Sequence, residues 1–169
     1  LEERRILAEA DKAILLLQEE GSSVAFPEAA DQARDDMEQV VERLGEAQVD
    51  ALTIGLEEDI IAALEEIIAA LQKAQQDAEQ RRQQPQQPNQ PMAPDEVPLV
   101  DAIAELKMIR ALQMRVNKRT QMYAKMLADP EHVVGQATDA KLLESLNQLA
   151  EREERIREIT RDIVLEKNK

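Results

Sequence analysis

Apolar residues recur along this chain at intervals of three and four, the spacing that lines one face of an α-helix. Ile6, Ala10, Ala13, Ile14 and Leu17 form such a stripe in a first helix over about 1–20. Gly21, Ser22 and Ser23 then interrupt the pattern, and a glycine just past a helix end suits the left-handed turn that stops it. Pro27 stands where a first helical turn needs no N–H, so a second helix is predicted over about 27–44. Its line Ala30, Ala33, Met37, Val40 and Leu44 is a coiled-coil a/d seam. The same phase runs on through Ala47, Ala51, Ile54, Ile61, Leu64, Ile68, Leu71 and Ala78, broken only by Glu57 and Gln75. Either one helix runs from about 27 to 83, or it breaks between Gly45 and Gly55; those glycines with Asp50 and Thr53 favour the break. A third helix over 53–82 carries Ile60, Ile61, Leu64, Ile67, Ile68 and Leu71, a face broad enough to touch two neighbours.

Residues 84–98 hold five of the seven prolines amid Gln and Asn. Proline at this density prevents helix and favours polyproline II, so the segment reads as a semi-rigid linker. As a ligand for an SH3- or WW-like domain it lacks basic flanks. A fourth helix over about 99–128 has Leu99, Ile103, Leu106, Val116 and Tyr123 on one side, with Ile109 and Leu112 beside them. A fifth, over about 138–167, opens at Thr138 and carries the seam Leu142, Leu146, Leu149, Ile156 and Ile163, with Glu153 and Thr160 at its weak positions. The short Pro130/Gly135 connection makes this pair an antiparallel hairpin. The expected architecture is therefore all-α, an elongated bundle with coiled-coil hairpins. It has an N-terminal helical segment 1–83, a Pro/Gln-rich linker 84–98 and a C-terminal hairpin 99–169.

Composition narrows what such a bundle does. Among 169 residues there is no Cys or Trp, and one each of His, Phe and Tyr. Disulfides, thiolate metal sites, Cys nucleophiles and aromatic cages are excluded. A di-metal carboxylate bundle needs Glu-x-x-His pairs; the lone His132 follows Glu131 directly and sits in a connection. Phosphate-cradling Gly-rich loops are absent. No catalytic residue, metal ligand or cofactor is expected, and the chain does not read as an enzyme. Met108, Met114, Met122 and Met126 on the fourth helix fill a core or line a plastic groove. No apolar run approaches the roughly 20 residues that span a bilayer. The chain opens on Leu1, which reads as a fragment or a processed chain.

The formal net charge is −14, unevenly spread. Residues 1–45 carry −7 and residues 46–83 carry −6, whereas 99–128 carry +4 from Lys107, Arg110, Arg115, Lys118, Arg119 and Lys125. Neutralisation between acidic helix three and basic helix four is the plain reading. The sharper one is an anion- or nucleic-acid-binding surface on helix four, but its cations spread around the helix and aromatics for base stacking are few. Within helix four, Arg110, Gln113, Asn117 and Thr120 continue the seam of Ile103 and Leu106. Polar groups on a buried line need partners. This spacing predicts a buried polar layer in which Arg110 pairs with Glu58, Glu65 or Glu66 and fixes register. The alternative rotation turns Ile109, Leu112 and Val116 inward and leaves the polar row in solvent.

The stretch 104–127, with Glu105, Leu106, Lys107, Arg110, Leu112, Gln113, Val116, Asn117, Arg119 and Thr120, resembles a segment of coiled-coil proteins from bacterial envelopes, particularly those of planctomycetes. Asp59, Ile60, Ile61, Leu64 and Glu65 of the preceding helix are similar as well. The resemblance covers about half the chain. It implies an envelope-associated, exported helical protein and brings no activity or ligand. Taken together, the sequence reads as a non-catalytic helical module for protein–protein interaction, with a second copy of itself, as a dimer, the expected partner. An anionic ligand held by helix 99–128, or a role as the extracytoplasmic stalk or sensor of a larger membrane protein, are the alternatives.

Overall fold

In a computed structural model the protein is all α. The residues described are 2–83, 102–127, 137 and 140–165; the Pro/Gln-rich segment 84–98, His132 and Thr138 lie outside them. Five helices follow one another: α1 Glu2–Glu20, α2 Ala25–Gly45, α3 Ala51–Gln83, α4 Ala102–Lys125 and α5 Ala140–Val164. The chain forms two compact units, Leu1–Met108 and Ile109–Lys169. The division falls inside α4 and not at the Pro/Gln-rich segment.

In the first unit α2 packs against both α1 and α3. Gly21, with φ 72°, closes α1 in the left-handed conformation that glycine adopts without steric cost. The turn into α2 is short, and Arg34 Nε donates to Asp11 Oδ1 at 3.0 Å. Both residues lie about 14 Å along their helices from the connection, the pairing an antiparallel hairpin gives. The inward line of α1 is the buried Ile14 with the half-buried Leu7, Ala10 and Leu17, whereas Ile6 and Ala13 of the expected stripe face solvent. Met37 and Val40 of α2 meet Leu56 and Ile60 of α3 in the core, with Leu7, Ala10 and Leu52 against them.

The long-helix alternative for 27–83 is overturned by the corner between α2 and α3. Ala47, with φ 58°, takes the left-handed turn here, and Gln48 N–H donates to Arg43 O at 2.8 Å. Asp50 then starts α3, its Oδ1 accepting the N–H of Leu52 and of Thr53, each at 3.1 Å. Arg43 spans the corner, with Nη2 on Asp50 Oδ2 at 2.8 Å and Nε on Thr53 Oγ1 at 2.8 Å. Gly55 is an ordinary residue of α3. The Thr53 N–H, burial acting against it and Arg43 adding to it, holds the Asp50 carboxyl below its ordinary range. A lowered folded pKa stabilises the fold above the unfolded value of about 3.9 and loses that contribution as pH falls through the folded value. The stability gap between the wild type and Asp50→Asn, measured by thermal melting, should therefore be widest near neutral pH and close as pH falls below about 4.

In the second unit the buried residues of α4 are Ile109, Leu112, Val116, Arg119 and Tyr123, and those of α5 are Leu149, Arg152 and Ile156. Gln113 Nε2 donates to Glu153 Oε2 at 2.8 Å and joins the two helices. Each of these residues lies about 18 Å along its helix from the connecting segment, which supports an antiparallel pair.

Candidate functional site

Two features of the fold bear on what the chain can do. One is a carboxylate buried against a helix start, and the other is a pair of aliphatic faces left in solvent.

The start of α2 is an unusual helix N-terminus. The first backbone N–H groups of a helix have no partner within it. A capping box would answer them with Ser followed three residues later by Glu or Gln, but three residues after Ser23 stands Phe26. The acceptor comes instead from α4. Glu105 Oε2 accepts the N–H of Val24 at 3.4 Å and of Ala25 at 3.3 Å, and Oε1 accepts from Ser23 Oγ. Ser23 Oγ in turn accepts the N–H of Phe26 at 3.1 Å. Ser23, Ala25, Phe26 and Glu105 are all buried. A carboxylate here meets orphan donors and the positive end of the helix dipole together. It ties the first turn of α4 to the first unit.

α4 turns one face inward along its length. The buried line runs Glu105, Met108, Ile109, Leu112, Val116, Arg119, Tyr123. The expected polar layer is therefore not formed: Arg110, Asn117 and Thr120 are exposed and Gln113 is half-buried, while Glu58, Glu65 and Glu66 of α3 are exposed too. Gln113 finds Glu153 and Asn117, and Thr120 Oγ1 donates to Val116 O within its own helix. In this rotation Ile109, Leu112 and Val116 are buried and Glu105 meets the start of α2. Polar groups do enter the buried faces of these helices, but they are Glu105 and Arg119 of α4 and Arg152 of α5. Sequence reasoning missed all three, although the absent capping box at Ser23 signals that an acceptor must come from elsewhere.

The same rotation turns Ile103 and Leu106 outward, 63% and 49% exposed. On α3 the seam that continues from α2 in the sequence is also outward: Ile54, Ile61, Leu64 and Ile68 face solvent, whereas Thr53, Leu56, Ile60, Ala63 and Ile67 are buried. Glu57 lies within the exposed seam of α3 with Glu58 and Glu65 beside it, and Lys107 and Arg110 share the exposed face of α4; all five are exposed. Among the described residues no group of His, Asp or Glu is arranged to hold a metal ion, and no helix is long and apolar enough to cross a membrane. No protein-family model, curated protein or solved structure matches this chain.

Proposed function

We propose that the chain is a non-catalytic helical module that works by protein–protein association, with a second copy as its partner. The observation that carries this reading is the seam Ile54, Ile61, Leu64 and Ile68 of α3, 37–57% exposed. Single exposed aliphatic residues are ordinary, but four on one helix face argue for an interaction surface. The four fall at spacings of seven, three and four, so they share a face over about 21 Å of helix. Covering them removes apolar area from water at about 25 cal/mol per Å².

Light scattering should return about twice the monomer mass of 19.1 kDa at tens of micromolar, roughly the range in which modest interfaces form. A monomer throughout that range would remove this reading. The exposed Lys107, Arg110, Lys118 and Lys125 favour a second reading, a polyanion held along α4. Against it stands the net charge of −14, which repels nucleic acid at long range.

A further inference from the structure

We propose that the exposed face of α3 is covered by the exposed face of α4 from a second copy of the chain, each copy giving one of each. This rests on the self-association reading and assigns its surfaces. The two faces match in kind. Both carry aliphatic residues in solvent, Ile54, Ile61, Leu64 and Ile68 on α3 against Ile103, Leu106 and Met114 on α4. They match in length as well: about 21 Å from Ile54 to Ile68 and about 17 Å from Ile103 to Met114.

Charge selects the pairing. The α3 face carries Glu57, Glu58 and Glu65, the α4 face Lys107 and Arg110. Among the described residues none of these five forms an ion pair. Residues 46–83 carry −6 and residues 99–128 carry +4, so α3 on α4 of the partner brings opposite charges together. Two copies of α3 set face to face would instead crowd glutamates, with Glu57 on the midline of the seam. Like charges across an interface are a strong device against the wrong pairing. In a two-fold dimer the α3-on-α4 contact occurs twice by symmetry, which closes the assembly. Arg110, for which the sequence spacing offered Glu58, Glu65 or Glu66 as partner, meets Glu58 and Glu65 of the second copy in this pairing.

The test is a charge-reversal exchange, read by sedimentation or light scattering at fixed concentration, with circular dichroism to check helicity. E58K/E65K and K107E/R110E should each weaken the dimer at least tenfold, because each makes both contacts like-charged. Mixing the two variants in equal amounts should restore dimers, since one contact is then native and the other has its four substituted charges exchanged. The quadruple variant in a single chain should dimerise as the wild type does, and it carries the test if either double variant loses helicity. The wild-type dimer should also weaken as salt rises from about 50 mM to about 500 mM, because screening shortens the reach of these charges. A dimer unchanged or tighter in E58K/E65K, or a mixture that stays monomeric, overturns the assigned surfaces while leaving self-association intact. A wild type that is monomeric at low salt overturns both.

Discussion

Replacing Phe26 with Ala should lower stability by about 3–5 kcal/mol, the range for removing a buried aromatic side chain. Phe26 is fully buried, at 0% exposure, and is the chain's one phenylalanine. Its ring stands at the second position of α2, where Ser23 Oγ accepts its N–H. The position therefore combines two roles: the ring fills the interior, and the backbone belongs to the hydrogen-bonded start of the helix. Ala keeps the backbone bond and empties the space. Leu keeps most of the volume and should cost less than about 1.5 kcal/mol. For a chain of this length the Ala variant should melt roughly 10 °C lower. The comparison must hold protein concentration fixed, because a self-associating chain melts higher as concentration rises. A loss under about 1 kcal/mol would mean that the site collapses on deletion and that Phe26 is not what packs the α2 start.

The all-α class was legible because apolar spacing of three and four is present in every helix and period-two alternation in none. The rotation of α4 was not. Ile103, Leu106 and Met114 line one face and Met108, Ile109, Leu112 and Val116 line another, so the pattern offers two rotations with similar apolar content. Tertiary contact decides between them, and one such contact comes from Glu105, a charged side chain that periodicity assigns to solvent by default. The α3 face shows the same limit. Its row of buried residues, Leu56, Ile60, Ala63 and Ile67, is offset by one position from the exposed row Ile61, Leu64 and Ile68. A helix with two adjacent apolar rows announces two neighbours, but the sequence does not say which row meets which. The start of α2 was legible in part. Ser22, Ser23 and Pro27 mark a helix entry, but the acceptor for its N–H groups lies about 80 residues away, beyond any local pattern.

That long-range acceptor yields the other large expected effect. Glu105→Ala should cost about 3 kcal/mol, since hydrogen bonds to a charged group contribute about 1.5–3 kcal/mol and buried donors left without an acceptor add to the loss. Three donors depend on this side chain: Ser23 Oγ and the N–H groups of Val24 and Ala25. Ala25 is fully buried, so water does not readily replace the lost acceptor. Glu105→Gln preserves the shape and one acceptor oxygen but removes the negative charge from the helix start, and should cost about half as much. Ser23→Ala should cost about 1 kcal/mol, in line with other lost helix caps. A double-mutant cycle between Ser23 and Glu105 should give a coupling of at least about 0.5 kcal/mol, because the two side chains share one bond. Amide exchange should locate the damage, with Ala25, Phe26 and the first turns of α4 losing protection together. The consequence reaches association as well. Ile103, Leu106 and Lys107 sit on the same turns as Glu105, so a helix freed from its anchor no longer holds them as one outward face. Dimerisation should weaken in Glu105→Ala at a temperature where the variant remains helical. Glu105→Ala within about 0.5 kcal/mol of the wild type would show that the bonds to α2 contribute nothing net, and that the rotation of α4 is set by Leu112 and its neighbours alone.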